Sequence, residues 1–378
     1  MTANYVFRAE CILSTMRFIV TILVLVSGVQ IWSQDVPPTQ DPAPLFYKPL
    51  TYGSMSMFTP WGVVLNGSYD VLQLDGKDRR ITKLPYGTGF LNVLKNTFVH
   101  PGATISQIGW GKWLTTEVFP LNFTKEGGQW LPNYQLHLIG GGMTYRMLAE
   151  WYQYKGVEAP EVWSASTIMF YHLLNEAVEN EAYVGYNTDP IADIALFDWL
   201  GMLLFSSDDV ARFFAKDLNM TDWSQLPMIT FPHGQLGNNG LYYSLKWNIP
   251  GSDQWSAWYY MGMANMAGAS YKFNSEHSIT VGAGARGKYL YEIDPRVRLL
   301  TLELVPTGGI FWDRNNSLLA SLTASGQEDQ TVILNIYPGV LNITDDISPA
   351  VWAAWGSNGT YGVGVAIRAG IGVGYRNR

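Results

Sequence analysis

Residues 361–376 read Tyr-Gly-Val-Gly-Val-Ala-Ile-Arg-Ala-Gly-Ile-Gly-Val-Gly-Tyr-Arg. Tyr361, Val363, Val365, Ile367, Ala369, Ile371, Val373 and Tyr375 alternate with Gly362, Gly364, Ala366, Arg368, Gly370, Gly372, Gly374 and Arg376. A helix would scatter these residues around its circumference, so the period is 2 and the segment is a strand. Taken as one strand it spans ~46 Å at ~3.3 Å per residue. Tilted at ~45° it rises ~33 Å, enough to cross the ~25 Å apolar band of an outer-membrane barrel with a Tyr at each end. Soluble sandwich strands run ~5–6 residues. The Gly/Arg face suits a water-filled lumen.

Weaker copies of the pattern precede it. Leu241–Asn248, Trp255–Met263, Ile279–Arg286, Leu300–Leu304, Ser317–Thr323, Val332–Tyr337 and Ala350–Trp355 read as strands. Turn signals separate them, among them Pro250-Gly251-Ser252-Asp253, Asp294-Pro295, Asp313-Arg314-Asn315-Asn316 and Ser357-Asn358-Gly359. The expected fold is mainly β with a helical insert: an antiparallel transmembrane β-barrel of about 8–12 strands plus a small α-helical subdomain, counted from the repeated strand pattern.

The division expected is 1–34 signal peptide, 35–50 linker, 51–89 N-terminal strands, 90–226 helical insert and 227–378 barrel strands. Arg17, the apolar run Phe18–Val29 and the polar, Pro-rich stretch after Ser33-Gln34 have the order of a secretory signal. Met16 is an alternative start, and Cys11 lies upstream of the apolar run. The run is shorter than the ~20 residues a spanning helix needs. Beyond it the most apolar stretch, Ile191–Phe205, is interrupted by Asp193 and Asp198.

Composition agrees with an envelope protein. The chain has 378 residues, 15% charged and 14% aromatic, with 15 Trp, 22 Tyr and 38 Gly. A net charge of −7 gives no basic footprint for nucleic acid. One Cys excludes a disulfide scaffold and a Cys-rich zinc site. Sequons at Asn66, Asn122, Asn219, Asn315, Asn342 and Asn358 carry weight only in a eukaryotic secretory pathway.

Within the insert the period turns helical. Thr104–Val118, Leu138–Tyr154 and Val162–Asn180 read as helices. Asp189-Pro190 opens another, and Ser206-Ser207-Asp208-Asp209 caps one more. His172 and Glu176 lie four apart on one helix face, His137 stands at a helix entry, and Asp193 sits in an apolar run. His137, His172, Glu176 and Asp193 are the candidate catalytic residues, and His172 with Glu176 the candidate metal ligands. The same spacing also fits an ordinary helix ion pair, and Asp189 fits an N-cap. No phosphate loop, nucleophile elbow or second His of a metalloprotease helix is present. Ser164 and Ser166 are the nearest serines to His172. No cofactor is expected.

His137-Leu138-Ile139-Gly140, Asn175-Glu176 and Asp193 through Gly201 resemble an uncharacterised family of Gram-negative, Bacteroidetes-like envelope proteins defined only by a domain of unknown function. The likeness covers Pro132–Ser206, and departs where Leu138 follows His137 in place of the family's usual Pro. It implies an outer-membrane barrel with its helical segment at or inside the barrel, with outer-membrane lipid as partner. The first expectation is a non-enzymatic barrel with a helical plug or brace, serving envelope structure or transport. The second is an envelope hydrolase or lipid-modifying enzyme using the His/Glu/Asp cluster.

Overall fold

The computed structural model describes residues 43–120, 131–344, 347–367 and 370–377. The signal segment 1–34, the first part of the linker, Asn122, Arg368 and Ala369 lie outside these residues.

Among the described residues thirteen strands form one sheet, mostly antiparallel, in the order β1-β4-β5-β6-β7-β8-β9-β10-β11-β12-β13-β2-β3. They are β1 Thr221–Asp222, β2 Met228–Phe231, β3 Gln235–Gly237, β4 Tyr243–Asn248, β5 Trp255–Met261, β6 Ala264–Lys272, β7 His277–Asp294, β8 Leu299–Arg314, β9 Ser317–Ser325, β10 Val332–Ile336, β11 Ala350–Trp355, β12 Tyr361–Ala366 and β13 Gly372–Arg376. From β4 to β13 each strand pairs with the next, and β13 then pairs in parallel with β2. The ladder ends at β1 and β3, which do not pair with each other. The expected 8–12 strands are therefore corrected to thirteen, and the strand pairings by themselves do not close the sheet into the expected barrel. Between β1–β4 and β2–β3, Trp223 N–H donates to Tyr242 O at 2.9 Å and Gln225 N–H to Gly240 O at 3.1 Å.

The segment 361–376 is not one long strand. It is the hairpin β12–β13, with Val365 opposite Val373 and Gly364 opposite Gly374. The turn contains Gly370 at φ 67°, a conformation glycine adopts at little cost. The turn leaves the odd-numbered apolar residues of both strands on one face, so the alternation runs unbroken through a reversal of direction.

Among the described residues, the glycine face abuts large side chains of neighbouring strands. A Cβ on Gly362 would lie 2.6 Å from the Trp352 ring, on Gly282 2.4 Å from Trp258, and on Gly372 2.2 Å from Met228 Sδ. The glycines make room for large side chains on neighbouring strands. Trp223, Trp258, Trp352, Tyr260 and Phe311 pack with Met228 and Met266 into one core on this side of the sheet. Trp223 stacks on Phe311 with centroids 5.6 Å apart. Trp258→Ala is expected to cost ~3–5 kcal/mol, read as a lowered melting temperature in detergent. A change below about 1 kcal/mol would mean the interior is not tightly packed.

The other face is apolar and largely open. Reading across the register, Val363 faces Ala353, then come Leu334, Leu322, Ile310, Val281, Ala269, Ala257 and Trp247. Val281, Ile310, Leu322, Val363 and Val373 are exposed on it. Trp255, Tyr271 and Phe273 lie toward one end of the strands. Phe231, Trp355, Tyr361 and Tyr375 lie toward the other.

The segment expected as N-terminal strands, 51–89, is helical instead. Helix α1 Pro60–Ser68 starts with Pro at N1, and the Thr59 hydroxyl accepts from Gly62 N–H. Its apolar run is buried on all sides, so no periodicity distinguished it from a strand. The end of the expected linker is also structured: Leu45, Phe46 and Tyr47 donate their N–H groups to the Glu150 carboxylate at 2.8–3.0 Å.

The remaining helices are α2 Tyr86–Leu94, α3 Pro101–Ile108, α4 Trp110–Trp113, α5 Gly142–Tyr154, α6 Pro160–Asn180, α7 Asp189–Ala192, α8 Asp198–Phe205 and α9 Asp208–Arg212. The helical region thus begins before residue 90, and strand β1 precedes residue 226. Met143, Met147, Tyr171 and Phe205 share a core with Leu241, Tyr243, Leu245 and Met261, so the helices cover one sector of the sheet. Leu245 pairs with Tyr259, and Trp247 with Ala257, which puts this contact on the apolar outer face. The hairpin β7–β8 is the longest in the sheet and clasps the helices: Asp75 N–H donates to Lys288 O at 2.9 Å, and Arg298 donates to Glu179 O at 2.7 Å. Among the described residues no single helix is long and apolar enough to cross a membrane; one pair bent by 81°, Asp189–Phe205 with Asp208–Asp217, passes by length and composition.

Candidate functional site

Three pieces of the helical layer supply the polar side chains. His137 lies on Leu131–Gly141, a π-helical stretch leading into α5. His172, Glu176 and Glu179 lie on α6, four and three residues apart, hence on one face. Asp189 opens α7, Asp193 opens the π-helical turn Asp193–Phe197, and Asp198 opens α8. A π turn closes over five residues. It therefore presents Asp193 and Asp198 to the same side, where both meet His137.

The His137 ring sits between two carboxylates, with Nδ1 2.9 Å from Asp198 Oδ1 and Nε2 3.5 Å from Asp193 Oδ2. The His172 ring is 4.6 Å from that of His137, and its Nδ1 contacts the same Asp198 oxygen without hydrogen-bond alignment. One carboxylate thus orients two imidazoles. Behind them Glu176 hydrogen-bonds Asp193. The carboxylates of Glu176, Asp189 and Asp193 lie within 4.8 Å of one another. His137, His172 and Asp198 form a second such group.

Burial and crowding drive the protonation states apart. Burial alone would lower the His137 pKa, but Asp193 and Asp198 outweigh it and lift it to about 9. Burial holds His172 below the usual histidine range against the pull of Asp198. Asp198 stays below the usual carboxylate range, because the two histidines overcome its burial. Burial raises Asp193 to about 6. Burial, then the neighbouring Asp193, pushes Glu176 and Asp189 well up. Glu117 is raised to about 8 by burial and by Asp193. One imidazole is therefore cationic and its neighbour neutral near pH 7, the division that acid–base chemistry uses.

His137, His172, Glu176, Glu179, Asp189 and Asp193 line one side of a cavity of about 260 Å³. The lining from the sheet side is mainly apolar, Leu241, Met263, Ala285, Leu290, Leu302 and Leu304, with Tyr243, Asn265 and Thr301 among them. Ala285 and Leu304 belong to β7 and β8, whose outer face also carries the exposed Val281 and Ile310. The cavity thus lies where the helices meet the apolar outer face of the sheet.

All four sequence candidates, His137, His172, Glu176 and Asp193, are buried and converge on this cavity. The i,i+4 spacing of His172 and Glu176 does not make them partners: His172 meets Asp198, and Glu176 meets Asp193. As candidate metal ligands they fall in different groups. Asp198, Asp189, Glu179 and Glu117 were missed, although an acid inside the apolar run 191–205 is a legible signal for Asp198. The residue at the N-cap of α7 is Thr188, with Asp189 one position inside. Neither serine joins the site, since Ser164 donates to Tyr145 O and Ser166 to Val162 O. No protein-family model, curated protein or solved structure matches the chain.

Proposed function

We propose that this chain is an outer-membrane β-barrel hydrolase of a Gram-negative envelope, acting on an acyl ester whose chain enters along the barrel's outer face. One observation carries the reading: a His/carboxylate cluster forms one wall of a cavity whose other wall is continuous with the sheet's exposed apolar face. In the reaction, water attacks the acyl carbonyl and gives a proton to neutral His172. The bond to the alcohol breaks, and cationic His137 protonates the leaving oxygen. Asp198 keeps both rings in place.

Chain continuity supports a ring-shaped wall. β1 runs on into β2, and β3 into β4, and the bonds from Trp223 to Tyr242 and from Gln225 to Gly240 keep the register of both flanking pairs. The parallel pairing of β13 with β2 brings the last strand back beside the segment that continues from β1, as such a ring requires. The apolar rows with aromatic residues toward both ends fit a lipid-facing wall. A filled interior argues against transport. It equally favours a second reading, a structural barrel braced by its helices.

The hydrolytic reading is tested with detergent-purified chain and p-nitrophenyl esters of graded acyl length. Turnover that rises with chain length and disappears in His172→Gln is expected; no turnover on any ester or on extracted envelope lipid would leave the structural reading. For the membrane placement, the chain is expected in the outer-membrane fraction, with heat-modifiable mobility in unboiled gels. Recovery in the soluble periplasmic fraction would overturn it.

A further inference from the structure

We propose that Glu176, Asp189 and Asp193 hold one hard divalent cation at the inner wall of the cavity. Their carboxylates lie within 4.8 Å of one another, which gives three oxygen ligands, from α6, from α7 and from the π turn that follows α7. Oxygen-only sets suit Mg²⁺, Mn²⁺ or Ca²⁺. The second observation is an orphaned acceptor: Asp193 is 3% exposed, and its Oδ1 has no hydrogen-bond partner. Beside it Glu117, fully buried, has an Oε2 equally without one. A buried acceptor left unmatched is costly, and a cation would satisfy it.

Charge balance leads to the same place. Glu117, Glu179 and Asp198 surround the trio, while the cations acting on these acids are His137 at Asp193, Arg298 at Asp189, and Lys77, Arg298 and His137 at Glu179. Buried carboxylates this close repel one another, and a cation between them offsets that repulsion. With the cation in place they are ionised and ligating, and the cavity supplies room for the waters that complete its shell. The histidines group instead with Asp198, although His137 Nε2 also lies 3.5 Å from Asp193 Oδ2. The cation would lie next to His137 and take the oxyanion that forms on the acyl carbonyl, a role beside the acid–base pair.

The test uses the full chain in detergent, stripped with chelator and titrated with Mn²⁺. Free Mn²⁺ is read by electron paramagnetic resonance and stability by thermal melting. About one tightly bound Mn²⁺ per chain and a melting temperature that rises with Mn²⁺ are expected. Glu176→Gln and Asp193→Asn should each weaken binding at least tenfold. Asp70→Asn, on the cavity wall but outside the trio, should change it less than twofold. A well-folded wild-type chain that binds none of Mn²⁺, Mg²⁺ and Ca²⁺ overturns the proposal, as does binding that the two trio variants leave unchanged. Should a trio variant melt too low to titrate, Glu176→Asp keeps the charge and should bind with altered affinity. Binding equal to wild type there and in Asp189→Asn also overturns it. The inference adds to the hydrolytic reading of the same cavity, but the two fail separately: a chain that binds Mn²⁺ and cleaves no ester keeps the cation site and loses the enzyme.

Discussion

Val365→Arg, measured by unfolding in lipid vesicles, is expected to cost about 2–4 kcal/mol, the penalty for an arginine at the lipid face of a barrel. Val365 sits opposite Val351 and Val373, with Val363 and Ile367 beside it on the same exposed apolar face. Val365→Leu in the same vesicles should stay within ~0.5 kcal/mol, as surface substitutions away from special features do. An arginine no worse than the leucine would mean that this face meets water. Gly364, one residue away, fails for the opposite reason. Its added Cβ would lie 3.0 Å from Met228 Sδ and 3.1 Å from Val373 O. Even Gly364→Ala overpacks the interior, a class of change that costs ~1–3 kcal/mol. The two faces are told apart by which chemistry each rejects: charge on one, volume on the other.

The same pair of residues shows what the sequence carried and what it hid. Alternation in 361–376 identified strands and an apolar face, because period 2 is a local property. It did not reveal the reversal at Gly370, since an odd-numbered register was kept on both sides of the turn. Nor did it say why one face is glycine. Trp352, Trp258 and Met228 occupy that space from strands distant in sequence, and only three-dimensional packing brings them there. Ala264–Lys272 was overlooked as a strand because its middle is Ala-Gly-Ala, without bulky residues to mark either face. In the helical layer, the four candidates stood out as polar groups in apolar surroundings. Their pairing was not legible: helical spacing matched His172 with Glu176, but the π turns at 131–141 and 193–197 re-aim His137 and Asp198 and hand each residue a different partner.

Glu176 gives the largest functional contrast. Burial and Asp193 push the Glu176 carboxyl well up, which favours the protonated form that can donate to Asp193 in the cation-free chain. Gln at this position has the same shape and also donates, so Glu176→Gln should melt within ~0.5 kcal/mol of wild type when no divalent cation is present. Glu176→Leu removes the donor and leaves the Asp193 carboxylate buried without it, at ~1–3 kcal/mol. Function should rank the variants differently. Gln cannot ionise, so it supplies neither an anionic ligand nor negative charge to the cluster. Removing one electrostatic contributor to a preorganised site costs ~10²–10³ in kcat. Glu176→Gln is therefore expected to lose ester turnover and complementation of a deletion strain while keeping its fold. A purely structural role predicts the reverse: full complementation by Glu176→Gln and failure only of Glu176→Leu, in step with its lower melting temperature. That outcome would assign the buried cluster to bracing the helices against the sheet, with no part in chemistry.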